Sequence, residues 1–242
     1  MAIDVFPKHW SIIPPVTARP IRGHPLCPRF GFIFPGKTVD LVQNVIGVVA
    51  SGASLYTSAS CRGFAGVGRE HTLTSDFDRL GDGNLLLPND NISFVLGYSK
   101  TDGTNRTASA LGGENGTGAG FIVDMNIPGS DGIVYWNWAN TTTGRLTASG
   151  LTFGDDIWCF TQGPRASEIW QNGILRATMA PGPSKSTYGA NTEQLALGKA
   201  QGGANTSDLA KWKFVFIYWR QLQQRDITEI TRNPFQWVDP RP

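Results

Sequence analysis

The sequence predicts an all-β fold built as an antiparallel sandwich, and three observations carry that prediction. Turn formers are spread along the whole chain, with 29 glycines and 15 prolines in 242 residues. Between them lie short runs of β-branched and aromatic residues, several alternating apolar with polar at the period of a half-buried strand. Long stretches with helical periodicity are almost absent. The apolar content of 40% and aromatic content of 11% can fill one large core, while charged residues reach only 17%, below the usual value of about a quarter.

Residues 1–28 differ from the rest. Pro7, Pro14, Pro15, Pro20, Pro25 and Pro28 exclude a helix and most sheet pairing. Phe6, Trp10, Ile12 and Ile13 lie between them, so the segment is not a polar, solvated tail. It reads as an extended, proline-stiffened arm that must bury its apolar groups. Two surfaces can receive it: its own domain, or a neighbouring subunit, with those four residues as the interface candidates.

Residues 29–242 read as one domain. Arg29–Phe34 and Val45–Ala50 are short apolar runs, and residues 51–68 alternate around Leu55-Tyr56. Ile92–Ser99 alternates clearly. Residues 101–120 are rich in turn formers and poor in apolar residues, as expected of a hairpin with a long loop. Gly120–Met125 and Ile133–Trp138 are further strands. In the second, Val134, Trp136 and Trp138 share one face while Ile133 and Tyr135 take the other.

The densest signal runs from Leu151 to Leu175. Gly154-Asp155-Asp156 reads as a turn, Ile157–Thr161 as a strand, and Gly163-Pro164 as its end. Ile169-Trp170-Gln171 then meets Asn172-Gly173, with Ile174-Leu175 leaving on the other side. Asn-Gly between apolar runs marks a type I′ hairpin, because both central residues need positive φ. Leu195–Gly198 is a short strand, and Phe214–Trp219 is apolar on both faces, as a central strand covered on both sides would be. One short helix is expected over residues 223–232, with Ile227 and Ile230 on one face and Pro234 ending it.

These parts carry a resemblance. Trp158, the Ile169–Gly173 hairpin, Leu195–Gly198, the Lys213–Arg220 strand, the short helix and Asn233-Pro234-Phe235 resemble the concanavalin A-like, laminin-G-like (LamG) jelly rolls encoded by tailed bacteriophages. The match covers roughly residues 90–238. It implies a sandwich, a viral context and a virion location, with other virion proteins, further copies of the chain or a surface glycan as partners.

Sandwich glycosidases hold two carboxylates on one strand face across the scissile bond. Of the five glutamates, Glu70, Glu114, Glu168, Glu193 and Glu229, none has a carboxylate two residues away on a strand. The run from Asp76 to Asn84 offers oxygen ligands but lacks the spacing of a calcium loop, and reads as Asp/Gly turns. His9, His24 and His71 have no nucleophile context, and Cys27, Cys61 and Cys159 have no metal spacing. No catalytic residue, metal site or cofactor is therefore expected, and the expectation is a non-enzyme.

The formal charge of +2 comes without a basic run, which argues against nucleic acid. No apolar stretch approaches the roughly 18 residues of a membrane span, and no secretory signal is visible at the N-terminus. Two functions are expected. The first is a non-enzymatic virion structural protein, a capsid decoration or tail-surface component attached through the arm and sandwich edges. The alternative is a lectin-like module recognising a carbohydrate, with Trp136, Trp138, Trp170 and Tyr188 as glycan-stacking candidates. The same aromatic residues equally suit a core.

Overall fold

A computed structural model describes residues 19–33, 39–40, 42, 48–51, 54–59, 65–70, 77–82, 86, 90–100, 109–114, 123–126, 132–138, 145–181, 194–197 and 210–239. The described residues form a two-layer antiparallel β-sandwich with one short helix, as the sequence predicts. Phe6, Trp10, Ile12, Ile13, His71 and Tyr188 lie outside them.

The strands of the first layer are β1 (Phe30–Ile33), β2 (Val39–Asp40), β4 (Ser54–Ala59), β5 (Ala65–Glu70), β7 (Ile92–Lys100), β12 (Asp156–Gln162), β13 (Ser167–Gln171), β14 (Ile174–Met179) and β16 (Ala210–Tyr218). The second layer holds β3 (Val48–Ser51), β6 (Phe77–Asp82), β8 (Ser109–Glu114), β9 (Val123–Asn126), β10 (Val134–Trp138), β11 (Arg145–Ala148) and β15 (Gln194–Leu197). The first sheet runs β14-β13-β12-β7-β16-β1-β2, with β5 pairing both β16 and β4. The second runs β11-β10-β9-β8-β15-β6-β3.

The core between the sheets is dominated by aromatic residues. Trp136 meets Phe94 at a ring separation of 5.8 Å and Phe160 at 5.6 Å, and Trp158 stacks on Phe160 at 6.2 Å. Full burial of each such side chain contributes about 1.5–3 kcal/mol, so this layer is the main source of stability. Val134, Trp136 and Trp138 all point into it, as alternation along β10 requires.

A second apolar layer covers the outer face of the first sheet. Ile157, Cys159, Phe214, Phe216 and Tyr218 pack there against Ile227, Ile230, Phe235 and Trp237. This explains why β12 and β16 lack a polar face, since both of their sides are covered. A bulge at Lys213 separates Trp212, which faces the inter-sheet core, from Phe214, which faces outward.

The cover is helix α1 (Gln224–Arg232) with the chain end after it. Asp226 accepts from the backbone N–H of Gln223 and pairs with Arg220, which fixes the first turn. Ile227 and Ile230 are buried on one face. Arg19–Pro28 also belongs to this cover. Pro20 bridges Val238, Ile21 N–H donates to Trp237 O at 2.7 Å, and Leu26 is buried.

Several elements differ from the sequence reading. Phe77–Asp82 is a strand paired with β15 and β3, not a turn, because both its neighbours supply backbone partners that the sequence does not reveal. Strand β8 lies in the stretch read as a hairpin with a long loop, and pairs with β9 and β15. Asp156 is the first residue of β12, not a turn residue.

Candidate functional site

Two clefts adjoin residues 218–224, which lead from β16 into α1. The first has a volume of 370 Å³ and is lined by Arg165, Glu168, Trp170, Leu175 and Gln221–Gln224. Strand alternation creates one wall. Ile169 enters the inter-sheet core, so Glu168 and Trp170 both face outward. Oε2 of Glu168 accepts from Thr161 Oγ1 and from Trp170 Nε1, each at 3.1 Å. The shared acceptor locks the carboxylate and the indole together and leaves Oε1 for a ligand.

The opposite wall is the β16–α1 connection. Gln221 Nε2 donates to Ala166 O at 2.9 Å, while its buried Oε1 has no partner. That oxygen packs against Gly163, where a Cβ would collide with it, so it is covered by the protein and not open to the cleft. Leu175, 43% exposed, forms the open rim. An aromatic edge, a carboxylate, a guanidinium and several primary amides make a wall suited to a polyhydroxylated ligand. Among the described lining residues Glu168 is the single carboxylate. The paired carboxylates that glycoside hydrolysis uses are therefore not assembled in this cleft.

The second cleft, of 310 Å³, is lined by Arg22, Cys27, Pro28, Arg29, Val42, Tyr218, Trp219 and Arg220. Arg29 lies over the Trp219 ring at 4.3 Å. Burial pushes the Tyr218 hydroxyl well above the usual tyrosine range, so it stays protonated and donates to Leu26 O at 3.1 Å.

The structure separates the aromatic glycan candidates. Trp136 and Trp138 are fully buried between the sheets. Their indole N–H groups donate to Thr161 O and Asp90 Oδ1. Neither ring face can meet a sugar, which corrects their reading as stacking residues: β-propensity placed them in strands to build core. Trp170 lines the first cleft, although only 5% exposed. Glu168, Arg165 and Gln221 escaped the sequence reading. Glu168 was legible as the residue two before Trp170 on one strand face, whereas Gln221 reaches the cleft only through tertiary packing.

Among the described residues, no three His, Cys, Asp or Glu side chains converge as a metal site, and no helix is long and apolar enough to cross a membrane.

No known family matches the chain by sequence. No curated protein matches it either. Solved structures do. Domain 4 of AbnA, a GH43 extracellular arabinanase from Geobacillus stearothermophilus solved with arabinotriose, superposes with a TM-score of 0.62 at 16% identity, covering 88% of this chain and 98% of that one. The binding domain of Paraclostridial Mosquitocidal Protein 1 gives 0.59 at 13%, covering 84% of this chain and 51% of that one. Trypanosoma rangeli sialidase gives 0.59 at 13%, covering 83% of this chain and 32% of that one. At these identities the similarity establishes the β-sandwich fold alone.

Proposed function

We propose that the chain is a non-enzymatic carbohydrate-binding module, and that the Glu168–Trp170 cleft takes a saccharide. The observation that carries this reading is the wall itself: the Glu168 carboxylate, held through one oxygen by Thr161 and Trp170, beside the Trp170 indole and the Arg165 guanidinium. Sugars offer hydroxyl donors for the carboxylate and C–H faces for the indole edge. The sandwich shared with an arabinotriose-bound domain supports the same class of ligand. A single carboxylate in the wall favours binding over hydrolysis.

The experiment is a glycan array followed by titration calorimetry of each hit. The reading expects saturable binding that Glu168→Gln and Arg165→Ala weaken. Silence across the array, or cleavage of a bound oligosaccharide, contradicts it.

The resemblance to LamG proteins of tailed phages adds a location to this chemistry: a virion surface, with the chain attached by the arm of residues 1–28 and presenting its cleft outward. Residues 19 and 20 are held to the chain's own C-terminal segment, by the Pro20–Val238 bridge and by Asp239 N–H donating to Arg19 O, so the attaching segment in this reading is residues 1–18. Deletion of residues 1–18 should then leave a folded sandwich that no longer assembles on particles. Full decoration by the truncated chain contradicts attachment through the arm.

A further inference from the structure

We infer that the second cleft is a separate binding site for a carboxylate-bearing sugar, a ligand with an anionic group and apolar ring faces. Three arginines line it: Arg22, Arg29 and Arg220. They are not equally committed. Arg220 is used by the fold, since it pairs with Asp226 and donates to Pro25 O at 3.2 Å. Arg22 spends one nitrogen on Val42 O at 2.9 Å, which holds its guanidinium in place. Arg29 is held by its stacking on Trp219, at 4.3 Å, and that contact engages the guanidinium face while leaving its edge N–H groups available.

The result is a pre-oriented fork in the same cleft as a second, partly free one, with no carboxylate among the described lining residues. Planar guanidinium edges match a carboxylate bidentately, and their fixed placement lowers the ordering cost of binding. Size separates a sugar from a simple anion. At ~30 Å³ per water the cleft has room for about ten waters, far more than one phosphate displaces. Trp219 and Tyr218 supply aromatic walls next to the charges, and Trp219 is itself fixed by donating to Leu86 O at 2.9 Å.

This inference borrows from the proposed function only the sugar class of the ligand; its residues are distinct from those of the Glu168–Trp170 cleft. The test is titration of the full chain with two acidic probes, oligogalacturonate and sialyllactose. Methyl-esterified oligogalacturonate, lactose and inorganic phosphate serve as controls. The expected result is that at least one acidic probe binds and its uncharged counterpart does not. Added salt should weaken that binding. Arg29→Gln should lower the affinity about tenfold, as expected for a lost charge-assisted pair, and Arg176→Gln, exposed and outside both clefts, should leave it unchanged.

Equal binding of charged and uncharged probes overturns the inference, as does phosphate binding as tightly as the acidic sugar. So does an acidic probe indifferent to both Arg29→Gln and Arg22→Gln, or no binding of either acidic probe. If neutral sugars still bind through the Glu168–Trp170 cleft, that failure leaves the proposed function standing. If no sugar of any kind binds, both readings fall.

Discussion

The side-chain amide of Asn172 donates to Asp156 Oδ1 at 2.6 Å, joining the first residue of β12 to the turn between β13 and β14. Asn172 also exchanges two bonds with Ile157: its N–H donates to Ile157 O at 2.8 Å, and its Oδ1 accepts from Ile157 N at 2.9 Å. A turn residue at φ 54° thus extends the β12–β13 ladder by one rung through its side chain. Asp156 further accepts from Gly154 N and Gln171 Nε2, each at 3.0 Å. Asp156→Ala removes these three bonds to a charged acceptor, although Gln171 Nε2 keeps Thr152 O at 2.7 Å and Gly154 is exposed, so each lost bond costs about 1 kcal/mol. A loss of about 3 kcal/mol in urea unfolding is expected; a change within 0.5 kcal/mol, roughly that of an ordinary surface substitution, contradicts this assignment.

Gly97 sits under Phe214, where a Cβ would lie 2.5 Å from the ring. Phe214 cannot yield, because Phe216 stacks on it at 4.5 Å and Phe235 abuts it at 5.2 Å. Gly97→Ala is expected to destabilise by about 1–3 kcal/mol through overpacking, read as a lowered urea midpoint. The paired change Gly97→Ala with Phe214→Leu should recover part of it, since it removes the ring that the methyl meets.

His24 gives a pH signature. Burial holds its imidazole below the ordinary value of 6.5, and Nδ1 accepts from Leu26 N–H at 3.1 Å, which requires that nitrogen to be unprotonated. A group whose folded pKa is depressed stabilises above its unfolded pKa and loses that contribution as pH falls through the folded value. Stability should therefore decline as pH drops below about 6.5. His24→Asn keeps an acceptor near the Nδ1 position and should flatten that decline. An unchanged slope in the variant, followed by thermal unfolding, assigns the decline to other groups.

Cys159 and Cys27 should differ in reactivity. Cys159 is buried in the outer layer, and burial, aided by Glu168 and Asp226, raises its thiol well above the ordinary range. Cys27 is half-buried at the arginine cleft. Alkylation of the native protein, mapped by peptide mass spectrometry, should label Cys27 and spare Cys159 until denaturant is added. Labelling of native Cys159 at the rate of Cys27 would contradict the packing of this layer.

The sandwich was legible because its strongest signals are local. Alternation at Val134–Trp138 and the Asn172-Gly173 turn each depend on residues adjacent in sequence, and both appear as read. The doubly apolar Phe214–Tyr218 likewise announced cover on both faces. What was not legible depends on distant partners. Strand β6 owes its pairing to β15 and β3, and the Glu168–Trp170 cleft owes its second wall to Gln221, brought back by the chain after β16. Aromatic residues in strands carry no mark of which face is open, so Trp136, Trp138 and Trp170 looked alike until packing separated them.

The central claim is that the Glu168–Trp170 cleft holds a saccharide, and titration of array-selected oligosaccharides into wild type and Glu168→Gln tests it most directly. The account predicts saturable binding that weakens about tenfold in the variant, the worth of one charge-assisted hydrogen bond, while a matched substitution at the opposite sheet, Thr147→Ala, has no effect. Binding that Glu168→Gln leaves intact, or no binding to any saccharide, would contradict it.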